Sequence, residues 1–233
     1  MVVNIPTVAY SFFSLFYPRV CWACYQALLP AEECICTVCH YQLPQTNFHT
    51  QEDNPVSHIF WGRLPLVSAT SLLYFQKHSK VQNLIHQFKY RGKKEIGLYL
   101  GNVLGRKLNE SANFNNIDLI IPVPLHASKE HQRGFNQSEI ISRGISESMK
   151  IDVEVKNLVK INRTDTQTKK SRFRRWQNVE TVFHVHKPEK LAGRNILLVD
   201  DVITTGSTLE ACGHNLLKID GVKLWIASLA LAR

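Results

Sequence analysis

Two adjacent carboxylates, Asp200 and Asp201, stand between a run of apolar residues and a short loop rich in hydroxyl groups. The apolar run, residues 196–199, predicts a buried parallel strand, and a helix is expected to begin near Leu209. Open α/β sheets bind ligands at the carboxyl ends of their strands. The N–H groups of the loop and of the helix start favour a phosphate group there. The acids would repel that phosphate and instead suit ribose hydroxyls with a divalent cation nearby.

The loop adds hydroxyl groups that can also bond a phosphate, from Thr205, Ser207 and Thr208. This order of strand, acid pair and loop resembles the 5-phosphoribosyl-1-pyrophosphate (PRPP) motif of type I phosphoribosyltransferases. The resemblance implies that the acids hold the ribose 2- and 3-hydroxyls, and that the loop holds the 5-phosphate. The implied PRPP contacts in this segment are Asp200, Asp201, Val202, Thr204, Thr205, Gly206, Ser207 and Thr208. The alternative is an ordinary strand, turn and helix with solvated acids.

Four cysteines follow a double-knuckle spacing, C-x2-C-x11-C-x2-C, and these are Cys21, Cys24, Cys36 and Cys39. Four thiolates so spaced can surround one Zn²⁺ tetrahedrally, with disulfides or free thiols as the alternatives. Cys34 adds a fifth thiol, but its spacing to Cys36 makes a poorer knuckle, and we leave it out of the predicted site. A zinc ion closed by four thiolates has no position for substrate, so its expected role is to stabilise a small fold.

Strands and helices alternate along the rest of the chain, which predicts an α/β fold with a mostly parallel sheet flanked by helices. A polar run at residues 51–55 suggests a boundary. We predict a zinc-binding module at 1–60 and a phosphoribosyltransferase-like domain at 61–233. Strands are expected at 67–75, 117–123, 153–161, 179–185, 196–199 and 222–230, and helices at 81–88, 95–108, 136–149 and from 209.

Three further segments make the resemblance more specific. The first two are L-I-I-P-V-P-L-H at 119–126 and Q-R-G-F-N-Q at 132–137. The third has the spacing Q-x7-R-x2-N-x4-F and begins at Gln167. Together with the cysteine knuckles, these are similar to the ComF family of phosphoribosyltransferase-like proteins, from about Phe16 to the end of the chain. The resemblance implies a type I phosphoribosyltransferase fold with an N-terminal four-cysteine zinc module.

The ComF resemblance also implies roles for single residues. The loop beside the pyrophosphate is Pro122, Val123 and Pro124. Arg133 neutralises the pyrophosphate or ties this loop to the next helix, and Lys89 points toward the same anion or merely suits a helix end. A flexible catalytic loop that closes over PRPP carries Gln167, Arg175 and Asn178, although Gln167 and Asn178 have a loop-fixing alternative. The expected catalytic residues are Asp200, Asp201, Gln167 and Arg175, and Asn178 is an expected PRPP contact.

The composition favours a basic protein with polyanionic partners, because the formal net charge is +9 and the isoelectric point is near 9.3. PRPP and nucleic acid both qualify. No apolar run approaches the length of a membrane span. The apolar start at residues 8–17 lacks a basic leading region and a cleavage site, so we expect a packed helix there and a cytoplasmic protein.

Two functions fit the sequence. The first is a PRPP-dependent transferase that uses Mg²⁺ and an unidentified acceptor; Thr204 stands where enzymes of 6-oxopurine salvage carry an aspartate. The second is a non-catalytic competence factor that binds single-stranded DNA and retains a PRPP or nucleotide site. The ComF resemblance implies DNA uptake, with single-stranded DNA and other DNA-uptake or recombination proteins as partners. The expected DNA surface combines Trp22 with a basic loop that contains Lys169, Lys170, Arg172, Arg174, Arg175 and Trp176. The alternative for both tryptophans is that they are packed against the protein.

Overall fold

The computed structural model describes residues 18–160 and 183–232. The strands are β1 (Ser68–Phe75), β2 (Leu119–Pro122), β3 (Leu158–Lys160), β4 (Phe183–Val185), β5 (Asn195–Ile203) and β6 (Lys223–Ala232). The α-helices are α1 (Thr37–Gln42), α2 (Pro55–Phe60), α3 (Lys80–Tyr90), α4 (Lys94–Asn109), α5 (Ala127–Arg133), α6 (Gln137–Met149) and α7 (Ser207–Leu216). Short 3-10 helices lie at Phe48–Thr50, Ala112–Phe114 and Pro188–Lys190.

The central sheet has the strand order β1-β6-β5-β2, and all three pairings are parallel. A separate antiparallel pair joins β3 to β4. In β5, Leu197 and Val199 contribute to the core on one face of the sheet, whereas Ile196 and Leu198 contribute to the core on the other. This two-sided burial explains the continuous apolar run and confirms the predicted parallel strand. The first polar residues after this apolar run, Asp200 and Asp201, therefore lie toward the carboxyl end of the strand.

Helices α4 and α6 approach each other closely because glycines face the neighbouring backbone. A Cβ atom at Gly101 would lie 2.4 Å from the carbonyl oxygen of Ile141, and one at Gly144 would lie 2.3 Å from that of Leu98. No side chain fits at such distances, so both positions require glycine. The close contact sets α6 against β5 and β2, with the start of α6 near the carboxyl edge of the sheet.

The cysteine-bearing segment packs on α3 and α4 rather than standing apart. Cys21, Cys34 and Cys39 are buried in the same hydrophobic core as side chains of both helices. Asn83 on α3 donates to the carbonyl of Ala23 at 3.2 Å. The division into a module and a domain after residue 60 stays a prediction, since these contacts do not decide where a boundary falls.

Most predicted elements are confirmed within a few residues, but α1, α2 and α5 were not predicted and one predicted strand is shorter than expected. Of the strand predicted at 179–185, residues 179–182 lie outside the described residues. The α5 helix was not predicted, because none of its residues is buried and it therefore shows no apolar periodicity. The strand predicted at 153–161 is reduced to β3 and to one parallel bridge between Val153 and Ile120. The predicted leading helix at 8–17 lies outside the described residues. Within the described ranges, no helix is both long and apolar enough to cross a membrane.

Candidate functional site

The acid pair lies at the carboxyl edge of the central sheet, near the end of β5. The Asp200 carboxylate accepts a hydrogen bond from the Asp201 N–H at 2.8 Å and another from the Ser138 hydroxyl at 3.1 Å. Asp201 forms an ion pair with Lys89, with Nζ 2.7 Å from Oδ2 and with the two side chains only 18% and 13% exposed. Ser138 of α6 therefore contacts Asp200, and Lys89 of α3 contacts Asp201.

Burial raises the pKa of Asp200 to about 7, and the neighbouring Asp201 carboxylate adds to the rise. The Asp201 N–H, the Ser138 hydroxyl and the Lys89 ammonium group act in the opposite direction without cancelling the effect. Near neutral pH, Asp200 thus exists in both protonation states. A carboxyl group in that condition can either donate a hydrogen bond to a sugar hydroxyl or accept one from it.

The hydroxyl-rich loop joins the acid pair to α7. Gly206 adopts a left-handed conformation with φ of 75°, and α7 begins at the next residue. The hydroxyl groups of Thr205 and Ser207 lie 3.1 Å apart, and the Ser207 N–H points to the Thr205 hydroxyl at 3.4 Å. Asp200 and residues 202–209 line a small concave surface there. First-turn N–H groups have no partners within their own helix, so this surface suits a phosphate-sized anion.

The Q-R-G-F-N-Q segment ties the neighbouring loop to α6. Asn136 accepts a bond from the Ser138 N–H at 3.1 Å and donates to the Val123 carbonyl at 3.0 Å. Arg133 donates to the Gln137 amide oxygen at 2.7 Å, and its guanidinium lies 5.6 Å from the centre of the Tyr90 ring. Arg133 thus joins the end of α5 to α6, and its contact with pyrophosphate stays a prediction.

The P-V-P loop presents little hydrogen-bonding capacity of its own. Pro122 and Pro124 have no N–H group, and the N–H of Val123 donates to the Val199 carbonyl of β5 at 2.9 Å. These three residues therefore form a wall beside the acid pair rather than a cradle of N–H donors.

The structure thus gathers most of the predicted PRPP residues at one edge of the sheet: Lys89, the 122–124 loop, Arg133, the acid pair and the 202–208 segment. Gln167, Arg175 and Asn178 lie outside the described residues, as does the basic loop predicted to bind DNA. Sequence reasoning missed Ser138, although it directly follows the N-Q of a motif that we had singled out.

The four predicted cysteine ligands form one cluster. The Sγ atoms of Cys21, Cys24, Cys36 and Cys39 all lie within 4.8 Å of one another, and those of Cys24 and Cys36 are 3.8 Å apart. A tetrahedral ion with metal–sulfur bonds of about 2.3 Å would separate its sulfurs by about 3.8 Å. All six cysteines are free thiols. The thiol of Cys34 lies outside the cluster, 3.8 Å from the Glu95 carbonyl oxygen.

The thiols of this segment differ in acidity. Burial would raise the pKa of Cys21, but hydrogen bonds from the N–H groups of Cys36, Cys24 and Ala23 outweigh it and lower that pKa to about 7. Burial raises the pKa of Cys39 and, together with the Glu95 carboxylate, raises the pKa of Cys34 to about 12. One ligand is thus ready to ionise, a bound cation would deprotonate the rest, and Cys34 is a poor ligand.

Trp22, which we considered as a stacking platform for a base, is half-buried against the start of α4. Its indole N–H donates to the Glu95 carboxylate at 3.2 Å. The Lys93 ammonium group lies 4.4 Å from the centre of its ring. The packed alternative therefore describes this tryptophan.

The family model for the phosphoribosyl transferase domain matches residues 106–233. DNA utilization protein YhgH of Escherichia coli (strain K12) is 27% identical over 234 residues, which cover 91% of this chain and 97% of that protein. Competence protein F of Haemophilus influenzae is 32% identical over 149 residues, or 61% of this chain and 65% of that protein. Competence protein ComFC of Bacillus subtilis is 26% identical over 223 residues, or 92% and 84% of the two chains.

The raised pKa of Asp200 predicts a pH-dependent stability. The unfolded chain releases this proton near the ordinary value of 3.8, whereas the folded protein holds it until pH rises to about 7. The folded state therefore binds more protons in this window, and its stability falls as pH rises through it. Asp200→Asn removes the effect. We expect the difference in melting temperature, variant minus wild type, to be several degrees larger at pH 8 than at pH 5. An equal difference at both pH values would contradict the assignment.

Proposed function

This chain belongs to the phosphoribosyl transferase domain family and is of the ComF type, and from that premise we propose that it binds PRPP at the carboxyl edge of its sheet. The observation that carries the proposal is the acid pair, held by Ser138 and Lys89 beside the concave surface at the start of α7. Asp200 and Asp201 bind the ribose 2- and 3-hydroxyls. The loop of residues 204–208 binds the 5-phosphate.

The same residues suit the transfer of a ribosyl group. The bond between ribose C1 and the pyrophosphate oxygen breaks, a nitrogen nucleophile bonds to C1, and pyrophosphate leaves with the electron pair. Positive charge develops on the sugar near the acid pair, while Lys89 and Arg133 offset the growing charge on the leaving group. Mg²⁺ held near Asp200 and Asp201 would supply further positive charge for the leaving group. We include Gln167, Arg175 and Asn178 as the loop that closes over PRPP and excludes water.

We also propose that the cysteine cluster binds Zn²⁺ and has a structural role. Four thiolates use all positions of a tetrahedral ion and leave none for a substrate. The bonds from Asn83 to Ala23 and from Trp22 to Glu95 attach the cluster to α3 and α4. Zinc would therefore stabilise the corner between these helices, next to Lys89.

A basic turn between α3 and α4 favours single-stranded DNA as a second ligand. Its sequence from Lys89 is K-Y-R-G-K-K, and the Tyr90 ring is 64% exposed. Tyr25, in the first cysteine knuckle, is 50% exposed and accepts a bond from Gln87 of α3 at 3.3 Å. Cations interleaved with exposed aromatic side chains suit phosphates and stacked bases. The names of the related proteins, which refer to DNA utilization and to competence, support the same ligand. Cytoplasmic location and partners in DNA uptake or recombination stay predictions.

Removal of both acids tests the PRPP site. The double variant Asp200→Asn, Asp201→Asn loses charged hydrogen-bond acceptors, each worth about 1.5–3 kcal/mol, so PRPP affinity with Mg²⁺ should fall at least about tenfold in calorimetry. Asp118→Asn is the matched control, because Asp118 pairs with Arg194 at the opposite edge of the sheet. Equal affinity in all three proteins would disprove the assignment. If PRPP binding is confirmed, release of pyrophosphate in a screen of acceptors would distinguish a transferase from a protein that only binds PRPP.

The zinc proposal is tested by metal analysis of protein purified without chelator. We expect about one zinc per chain. Cys36→Ser should lose the metal and melt at a lower temperature, whereas Cys34→Ser should keep it because that thiol is outside the cluster. Retention of zinc by Cys36→Ser together with its loss from Cys34→Ser would mean that the ligand set is wrong.

DNA binding by the basic turn is tested with a labelled single-stranded oligonucleotide across a salt series. The triple variant Arg91→Ala, Lys93→Ala, Lys94→Ala should bind more weakly, and the slope of log affinity against log salt should shrink by about 0.7 for each lost phosphate contact. The control replaces three lysines elsewhere, namely Lys187, Lys190 and Lys223. Identical slopes in the two triple variants would exclude the turn from the DNA surface.

A further inference from the structure

Arg63 contacts the loop of residues 204–208, although it lies 142 residues before Thr205 in the sequence. Arg63 follows α2, and its guanidinium donates to the Ile59 carbonyl at 2.9 Å and to the Thr205 carbonyl at 3.2 Å. It also forms a close ion pair with Glu210, in the first turn of α7. These contacts join α2, the loop and α7 through a single side chain. Neither Arg63 nor Glu210 follows from the motifs in the sequence.

The loop lies directly on α2 at the same place. A Cβ atom at Gly206 would come within 2.7 Å of Ile59 Cγ2 and 2.9 Å of Phe60 Cε1. Phe60 is fully buried, so its ring has no free space into which it could move away from such a Cβ atom. The glycine is therefore needed for its left-handed backbone and also for its contact with α2.

The bond to Thr205 controls the direction of one N–H group. The peptide between Thr205 and Gly206 is planar and trans, so its C=O and N–H point in opposite directions. Because Arg63 holds the carbonyl on the α2 side, the Gly206 N–H is directed to the other side of the loop. If this peptide rotated, its carbonyl oxygen would replace the N–H and repel a phosphate.

We propose that Arg63, supported by Glu210, is a positioning residue that orders the phosphate loop before the ligand arrives. Its donors already serve Ile59, Thr205 and Glu210, and the nearby Glu210 carboxylate offsets its charge. Arg63 thus acts through the peptide of the loop rather than as a ligand of the phosphate. This inference rests on the proposed function, since it concerns the 5-phosphate part of that site.

Two ligands separate the loop from the rest of the site. Ribose 5-phosphate needs the loop, whereas inorganic pyrophosphate belongs to the side of Lys89 and Arg133. In calorimetry with Mg²⁺, Arg63→Ala should bind ribose 5-phosphate about tenfold more weakly and pyrophosphate within twofold of wild type. Arg63→Lys should give an intermediate value, because one ammonium group cannot reach both carbonyls and Glu210 in the planar geometry of a guanidinium. Arg194→Ala, which breaks an arginine–aspartate pair at the opposite edge, should match wild type for both ligands.

Hydrogen exchange of the ligand-free protein gives a second readout. Residues 204–208 should exchange faster in Arg63→Ala than in wild type or Arg194→Ala, while the central strands keep their protection. Wild-type affinity for ribose 5-phosphate in Arg63→Ala, or an equal loss for both ligands, would overturn the inference and leave the proposed function intact. If the wild-type protein bound neither ligand, the proposed function itself would fail.

Discussion

Two carboxylates at the end of a strand buried on both faces are the constraint on which the rest of this structure depends. Adjacent negative charges repel each other, and burial adds a cost to each of them. The protein reduces that cost with the Lys89 ammonium group on Asp201 and with two hydrogen bonds to Asp200. It does not remove the cost, because the pKa of Asp200 still rises to about 7. A protein that keeps such a pair loses stability, and binding of ribose hydroxyls would account for that loss.

The groups that support the acid pair depend on distant parts of the chain. Ser138 is in place because the glycines of α4 and α6 allow those helices to approach, which sets the start of α6 beside β5. Lys89 stands at the end of α3, and the cysteine segment contacts that helix through Asn83 and Gln87. The cysteine segment and the acid pair thus both contact α3. Zinc bound to the cysteine segment, as we propose, would have no catalytic position, but it would stabilise the packing of the helix that carries Lys89.

The parts that could be predicted from the sequence are those whose signal is local. The apolar run before the acids predicted β5. The spacing of the cysteines predicted the cluster without Cys34, because two C-x2-C pairs can bring their four thiols together in few ways. Ser138 and Arg63 were missed because their partners lie 62 and 142 residues away, and a serine or arginine carries no pattern of its own. The α5 helix was missed for the opposite reason: it is local, but it buries nothing and so has no apolar periodicity.

The contacts of the P-V-P loop also limit how this site can handle a pyrophosphate. Its two prolines have no N–H group, and the Val123 N–H is taken by Val199, so the backbone there has little to offer a departing anion. Lys89 and Arg133 are the described cations that we propose for this charge. Lys89 is already shared with Asp201, and Arg133 with Gln137. Two engaged cations are a weak match for a pyrophosphate, so the proposed transfer would require further positive charge, such as that of Mg²⁺. If the basic residues 169–175 close over PRPP as proposed, their charge would serve the leaving group whether or not they also bind DNA.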